Sequence, residues 1–388
     1  MAINIIETSE DLKKLIEILQ NDNVKVIALD TEFCRESTFK PVLGLIQLCF
    51  NKEIYLIDSI KLEEANDTYF KDFIDYLVHT EAMVVLHACT EDNCIIADYA
   101  TRFGLDRRLP KNMYDTQLAA CFLGIEPSIG LAAMLKQFIG IELEKSQTRT
   151  NWLARPLTDA QIEYAALDVS YLEQVMVLFN RMFQEKPTAH KFFLLEMKEL
   201  SEKIYEVEDT NSLHINLSGC GQFSVRKLRM LNAICNLRYE ICKKENMALS
   251  WFLKNKVIVK LVDTSIMDPS TYISKGVHYS IAKKYGQMIA KTARKALNDE
   301  SIPYVPTYEA VKNVKTVVAE MEQLEKYLIE SAKKLCIPKE IICSKRLILD
   351  FFYHCLFIPN KLSILEEGWR GEFLSGLRMF KDKFAVKQ

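Results

Sequence analysis

The first half of the chain alternates short apolar runs with amphipathic segments. Apolar, β-branched runs predict strands at Val24–Asp30, Gly44–Phe50, Glu53–Ile57 and Ala82–His87. The two-residue turn Asn51-Lys52 predicts a hairpin between the second and third of these strands. Helical spacing predicts helices at Asp11–Leu19, Tyr69–Val78, Asp92–Tyr99, Asp115–Ile139 with a break near Gly124–Gly130, and Thr158–Gln184. Strands followed by helices indicate a mixed α/β sheet over residues 1 to about 190.

The second half of the chain has almost no strand signals after about residue 190. Residues 219–297 are helical and basic, and residues 305–388 form another helical block, with Pro303 and Pro306 at the junction. The polar segment Glu202–Asn211 is a predicted linker. These boundaries predict three domains, at 1–205, 206–297 and 298–388, and a chain of 388 residues is long enough for them.

The charge of the chain becomes informative when its two halves are compared. The net charge is only −2, from 50 Lys+Arg and 52 Asp+Glu. Residues 211–388 hold 29 basic and 17 acidic residues, a net of +12, which leaves 21 and 35, a net of −14, for residues 1–210. The acidic N-terminal half is expected to carry the functional site, and the basic C-terminal half is expected to bind an anion. Nucleic acid is the first candidate for this anion. Chance drift of solvated surface charge is the alternative.

The N-terminal segment contains acidic residues and lacks a basic start followed by an apolar stretch, so we expect no signal peptide. Long apolar runs are missing as well, so we expect no membrane span and a cytoplasmic location. The eleven cysteines include no Cys-x-x-Cys pair, so reduced thiols are expected rather than a zinc site.

Acidic residues follow two of the predicted strands. Asp30 and Glu32 end the first strand and, two positions apart, project from one face of it. Two adjacent carboxylates repel each other, and a divalent cation such as Mg²⁺ or Mn²⁺ removes that conflict. Asp92 follows the strand Ala82–His87, where it would approach Asp30 if the two strands are neighbours. Each motif alone has an ordinary explanation, because Asp-x-Glu is common and acidic residues favour helix N-termini.

A third motif lies on the predicted helix that starts at Thr158, where Thr158 and Gln161 fit a capping box. Tyr164 and Asp168 are four residues apart, so they share one face of this helix. The alternative for this pair is a core tyrosine beside a solvent-facing aspartate.

Together the three motifs resemble the DEDD exonuclease superfamily, and the tyrosine four residues before the last aspartate resembles its DEDDy branch. The stretches LDTEFCRESTFKPVLGLIQLCF, VLHACTED and DTQLAACFLG, with the run from Lys145 to Leu172, are similar to the ribonuclease D family. This resemblance covers residues 1 to about 185. Residues 219–297 resemble an HRDC domain, and residues 305–388, with Glu367–Gly371, resemble a second one less closely.

The resemblance implies a ribonuclease H-like mixed sheet with flanking helices, followed by two all-α bundles of HRDC type. It implies a 3′-5′ exoribonuclease that releases nucleoside 5′-monophosphates with two divalent metal ions, Mg²⁺ or Mn²⁺. Asp30, Glu32 and Asp168 would hold the ion that binds the attacking water. Asp30 would bridge to a second ion, supported by Asp92 directly or through water, and Tyr164 would orient the water.

Other residues in the stretches similar to the family are candidate substrate contacts: Gln47, His87, Lys145, Ser146, Gln147, Arg149 and Trp152. Lys145 and Arg149 are suited to phosphates and Trp152 to stacking on a base. Each also has an ordinary structural explanation. Trp152 could be a core residue, Lys145 and Arg149 could be solvated charges on a loop, and His87 could be a hydrogen-bonded residue at a strand end. In the second domain a basic helical surface is predicted from Arg226, Lys227, Arg229, Arg238, Lys243 and Lys244.

The family suggests RNA with a single-stranded 3′ end as partner, with tRNA precursors as natural substrates; oligomeric state is left open, with a monomer favoured. Two other functions are kept as alternatives. A DNA 3′-5′ exonuclease would share the carboxylates, but polymerase and helicase motifs are missing. A catalytically inactive RNA-binding module would have lost at least one carboxylate, whereas all four acidic residues and the tyrosine are present.

Overall fold

The computed structural model describes residues 1–21, 24–35, 37–64, 68–105, 109–142, 150–203, 212–264, 268–302 and 304–385. The chain divides into two compact units. The first comprises Met1–Cys34, Pro41–Glu206 and Ala332–Glu340, and the second comprises Arg35–Lys40, Val207–Ser331 and Ile341–Gln388. The division into three domains stays a prediction, and most of the predicted linker, residues 204–211, lies outside the described residues.

The first unit contains a six-stranded sheet. Its strands are β1 (Ala2–Ile6), β2 (Val26–Cys34), β3 (Val42–Phe50), β4 (Glu53–Ile57), β5 (Met83–Leu86) and β6 (Met113–Asp115). Their order across the sheet is β1-β4-β3-β2-β5-β6. The pairs β2–β3 and β3–β4 are antiparallel, whereas β1–β4, β2–β5 and β5–β6 are parallel. The predicted mixed sheet is therefore confirmed.

Helices flank this sheet on both faces. They are α1 (Ser9–Asn21), α2 (Ser59–Glu64), α3 (Thr68–His79), α4 (Thr90–Arg102), α5 (Thr116–Phe122), α6 (Leu131–Phe138), α7 (Asp159–Ser170), α8 (Leu172–Gln184) and α9 (Pro187–Glu202). One face carries the main core cluster, to which α1, α3 and α4 contribute buried side chains. On the other face α7 packs against β2, β3 and β4.

The sequence predictions missed two short strands at the edges of the sheet. β1 is only five residues long, and its Ile3 and Ile5 are about 40 % exposed, at 42 % and 39 %. β6 is three residues long and runs directly into α5. Neither is long enough to show a period of its own. The single helix predicted over 158–184 is two helices, α7 and α8, because the backbone leaves helical geometry at Tyr171.

The turn between β3 and β4 is formed as predicted. Asn51 and Lys52 have φ of 49° and 65°, and Phe50 pairs with Glu53. Positive φ at both central positions is the requirement of the tight hairpin turn whose twist matches the strands.

β2 places its side chains on two different faces. The strand does not end at Glu32, as predicted; it continues to Cys34 after a register shift between Glu32 and Phe33. Because side chains alternate along a strand, Leu29 enters the main core, while Asp30 and Glu32 project from the opposite face, against which α7 packs.

From residue 212 onward, the described residues form helices joined by turns and loops, and they contain no strand. Its helices are α10 (Val225–Lys244), α11 (Leu249–Phe252), α12 (Asn255–Asp263), α13 (Tyr279–Asn298), α14 (Lys315–Lys334), α15 (Lys345–Phe357), α16 (Gly368–Phe373) and α17 (Leu377–Ala385). Side chains of α10 to α13 share one buried cluster, as in an independently packed helical bundle.

Among the described helices, none combines the length and the apolar character needed to cross a membrane. All eleven cysteines are free thiols, and seven of them are buried.

A bidentate ion pair fixes the segment that leads into α7. Arg155 donates through Nε and Nη2 to the carboxylate of Asp58, at 2.5 and 2.8 Å, and also to the carbonyls of Gly44 and Trp152. The Asp58 side chain is 1 % exposed. A charge so completely buried is tolerated only when it is paired.

We predict that Arg155→Met destabilises the protein by about 3–5 kcal/mol, because it leaves the Asp58 carboxylate buried without its cation. The measurement is the free energy of unfolding in urea. The control is Arg378→Met, which breaks the exposed pair with Asp382 on the surface of α17 and should cost about 0–1 kcal/mol. Equal effects of the two variants would contradict the structural role of Arg155.

Candidate active site

Three carboxylates meet between β2 and α7. Asp30 and Glu32 come from β2 and Asp168 from α7, and one ligand atom from each lies within 4.8 Å of the other two. Asp30 and Glu32 are partly buried, and Asp168 is buried at 7 % exposure. Among the described residues, these three carboxylates form a group that could hold a metal ion, and all of its donors are oxygens, the donor type that Mg²⁺ and Mn²⁺ prefer.

Burial and mutual repulsion make this cluster costly in its charged form. Burial, followed by repulsion from Asp168 and Asp92, raises the pKa of Glu32 to about 8. Burial raises the pKa of Asp168 to about 7. The pKa of Asp30 is raised well above its ordinary value by burial and by the negative charges of Asp92, Asp168 and Glu32. Positive charge placed among these groups would therefore be stabilising.

Asp92 lies outside this group of three and is held by a residue on the other face of β2. Thr31 lies between Asp30 and Glu32, so its side chain points away from them, and its hydroxyl donates to Asp92 Oδ1 at 2.5 Å. Burial raises the pKa of Asp92 to about 6, and the bond from Thr31 opposes the rise. The negative charge of Asp92 nevertheless raises the pKa of Asp30 and of Glu32, so it belongs to the same electrostatic site.

The loop before α4, the helix that carries Asp92 in its first turn, is fixed by a residue that the sequence predictions did not single out. Asp115 ends β6 and accepts from the backbone N–H of Ala88 and Cys89 at 3.1 and 3.0 Å. The same carboxylate caps α5 by accepting from Gln117 and Leu118 at 2.8 and 3.1 Å. Ala88 has φ of 57°, so the turn before α4 is a strained one that these bonds hold.

A signal for Asp115 exists in the sequence, since an aspartate directly before a helical pattern is a common N-cap. That pattern does not reveal the second pair of bonds, which depend on β5 and β6 being neighbours. Thr31 carried no signal of its own, because it reads as one more β-branched residue in a strand.

Tyr164 is held beside Asp168 by the start of α7. Thr158 and Gln161 form the predicted capping box. Tyr164 and Asp168 lie on one face of the helix, and the tyrosine hydroxyl hydrogen-bonds the Asp168 carboxylate, which lowers the pKa of Asp168 against the effect of burial. The Tyr164 ring is 6.1 Å from that of Trp152.

The candidate substrate contacts have different outcomes. Gln47 pairs across from Asp30 but is fully buried, so a direct contact with substrate is not available to it. Trp152 is 2 % exposed and lies in the core, which is the alternative role kept for it. Lys145 and Ser146, with Gln147 and Arg149, lie outside the described residues.

His87 has the geometry of the hydrogen-bonded strand end that was kept as its alternative. The Thr116 hydroxyl donates to the Leu86 carbonyl, so it accepts from His87 Nδ1 at 2.9 Å. Burial lowers the pKa of His87, and the nearby Asp115 opposes this. Nδ1 therefore carries a proton in this contact.

The repulsion in the cluster leads to a prediction about stability without metal. A carboxyl with a raised pKa in the folded state stabilises the protein below its ordinary pKa, and that stability is lost as pH rises through the folded value, here about 7 for Asp168. Asp168→Asn should therefore be more stable than the original protein at pH 8, by roughly 1–3 kcal/mol. At pH 4 the difference should nearly vanish.

The measurement is chemical denaturation in the presence of a chelator at both pH values. Asp72→Asn on the exposed surface of α3 is the control, with no expected pH-dependent difference. If Asp168→Asn is no more stable than the original protein at pH 8, the carboxylates do not repel each other as described.

The sequence is similar to a family of exonucleases and to known ribonucleases. Residues 3–184 match a family described as 3′-5′ exonuclease. Ribonuclease D of Haemophilus influenzae is 28 % identical over 359 residues, which is 89 % of this chain and 84 % of that protein. Ribonuclease D of Escherichia coli is 28 % identical over 390 residues, 97 % of each chain.

Solved structures give the same result. The crystal structure of Escherichia coli RNase D aligns with a TM-score of 0.82 and 26 % identity over 99 % of both chains. The catalytic core of Trypanosoma brucei RRP6, at 19 % identity and a TM-score of 0.61 over 76 % of this chain and 79 % of that one, shares the fold. The chain is therefore a ribonuclease D-like 3′-5′ exoribonuclease, with a 3′-5′ exonuclease domain over residues 3–184.

Proposed function

We propose that the protein removes 3′-terminal nucleotides from RNA as nucleoside 5′-monophosphates, by hydrolysis that depends on two divalent cations, Mg²⁺ or Mn²⁺. The observation that carries this proposal is the group of carboxylates on β2 and α7, with ligand atoms of Asp30, Glu32 and Asp168 within 4.8 Å of one another. Acids so close together, with raised pKa values, fit a site for cations better than a site without them.

We assign the four carboxylates different tasks. Asp30, Glu32 and Asp168 would hold the ion nearer the attacking water. Asp30 would also reach the second ion, and Asp92 would support it, directly or through water, because Asp92 lies outside the group of three. Bound there, such ions lower the pKa of water and neutralise charge on the phosphate and the leaving oxygen.

Tyr164, Thr31 and Asp115 would position the reacting groups. We assign Tyr164 to orient the attacking water, because its hydroxyl already lies beside the Asp168 carboxylate. Thr31 and Asp115 would keep Asp92 in place, the first through its hydroxyl and the second through the loop before α4.

The natural substrates we propose are RNAs with a single-stranded 3′ end, tRNA precursors among them. Supporting this, the Escherichia coli structure is that of an exoribonuclease involved in structured RNA processing. His87, Lys145 and Ser146 stay as candidate contacts near the 3′ end. Eleven free cysteines support a location in the reducing cytoplasm.

We further propose that residues 206–297 and 298–388 are two helical domains of HRDC type. Supporting this, α10 to α13 share a buried cluster of their own within 217–293.

Digestion of a 5′-labelled RNA with an unpaired 3′ tail in Mn²⁺ tests the proposed reaction. We predict a ladder that shortens from the 3′ end, abolished by EDTA. Asp30→Asn should lower the rate at least about a thousandfold, since it removes a carboxylate assigned to both ions. Tyr164→Phe should lower it about 10- to 1000-fold, because the water loses its orienting hydroxyl.

Tyr76→Phe is the matched control. The Tyr76 hydroxyl donates to the Leu19 carbonyl, on the face of the sheet that carries the main core. The cleavage rate of this variant should stay within about twofold of that of the original protein. A DNA strand of the same sequence tests the alternative of a DNA exonuclease. Full activity of Asp30→Asn, or preference for the DNA strand, would overturn the proposal.

A further inference from the structure

Half of the basic residues predicted to form a surface on α10 make contacts within the second unit. Arg238 is only 6 % exposed and donates to the Leu253 carbonyl and to Asn255 Oδ1, at 2.9 and 2.7 Å. Lys227 is paired with Asp263 at 2.9 Å. Arg229 donates through Nε to a backbone carbonyl. Half of the six cations predicted to meet RNA therefore already have partners, and another surface of this unit has to be considered.

A groove with an exposed aromatic wall lies on the same unit. It has a volume of 620 Å³ and is lined by residues of 247–254 and 276–281, among them Met247, Trp251, Lys254, His278 and Ile281. Trp251 lies on α11 and is 59 % exposed, whereas the other two tryptophans of the chain, Trp152 and Trp369, are 2 % exposed.

A second exposed aromatic residue is adjacent in the chain to residues that line this groove. Tyr279 opens α13 between the lining residues His278 and Ser280, and it is 61 % exposed. A single exposed aromatic residue is ordinary. Two exposed rings, one that lines the groove and one that is adjacent in the chain to its lining residues, provide flat faces of the type on which nucleic-acid bases stack, at a gain of about 1–3 kcal/mol per base.

The charge at this groove is positive. Lys254 lines it, and the Lys283 ammonium lies 6.0 Å from the centre of the Tyr279 ring. Its described lining contains no acidic residue. The nearby Glu245 is neutralised, because its carboxylate accepts from Lys284 at 2.9 Å and from the Tyr285 hydroxyl. A partner that fits this surface is an anion with aromatic rings.

We propose that this groove binds the single-stranded part of the RNA substrate, with Trp251 and Tyr279 stacking on bases and Lys254 and Lys283 contacting phosphates. Stacking and phosphate contacts do not select a base, so binding here is independent of sequence. This inference rests on the assignment of RNA as the substrate, but the binding it describes needs neither catalysis nor the metal ions.

Tryptophan fluorescence tests the groove in the full-length protein, because Trp251 is the exposed member of the three tryptophans. In EDTA, which stops hydrolysis, a single-stranded 20-nucleotide RNA should shield this residue from quenching by acrylamide. Trp251→Ala should weaken RNA affinity about tenfold, and Trp251→Phe, which keeps a flat ring, should retain most of it. Lys254→Gln should lower the slope of log affinity against log salt by about one.

The matched control is Met288→Ala, which removes another exposed apolar side chain, 49 % exposed, from α13. It should bind RNA as the original protein does. The proposal is overturned if RNA leaves acrylamide quenching unchanged, or if Trp251→Ala binds RNA as tightly as Met288→Ala. Either result would leave the groove as a contact for a protein partner.

Failure of the proposed reaction is recognised separately, by digestion of a short RNA with the original protein in Mn²⁺. An inactive protein that still shields Trp251 with RNA would remove the exonuclease proposal and keep the groove. An active protein without shielding would do the opposite.

Discussion

Repulsion among carboxylates on β2 and α7 is the constraint that the rest of the first unit serves. Asp30, Glu32 and Asp168 have ligand atoms within 4.8 Å of one another, and burial raises the pKa of each. Such an arrangement costs stability unless positive charge enters it, so the surrounding structure has to hold it in place. The sheet provides two of the acids from one strand, and the capping box and the Arg155–Asp58 pair fix the chain that provides the third.

Asp92 is a fourth acid of the site that lies outside the group of Asp30, Glu32 and Asp168. Asp92 lies on α4, and its carboxylate accepts from the hydroxyl of Thr31, whose side chain is on the opposite face of β2 from Asp30 and Glu32. Asp115 at the end of β6 binds the backbone of the loop before α4. The parallel pairing of β2, β5 and β6 brings these elements to one end of the sheet. The site therefore depends on the order of the strands as much as on the acidic residues themselves.

Periodic, local features could be predicted from the sequence, and so could the placement of acids that share a strand or a helix face. The spacing of Asp30 and Glu32 and that of Tyr164 and Asp168 follow from the geometry of strand and helix. The edge strands β1 and β6 could not be predicted, since they are too short to show a period. The burial of single side chains could not be predicted either: Trp152 and Arg238 lie in stretches that suggest nucleic-acid contact, yet they are only 2 % and 6 % exposed.

The central claim is that the group of Asp30, Glu32 and Asp168 holds divalent cations. The most direct measurement is anomalous X-ray scattering at the manganese edge from crystals of the protein grown with Mn²⁺ and a nucleoside 5′-monophosphate. We predict an anomalous peak bound by oxygens of these three residues, and its loss in Asp168→Asn. Crystals with the nucleotide bound and no anomalous peak at these carboxylates would contradict the claim.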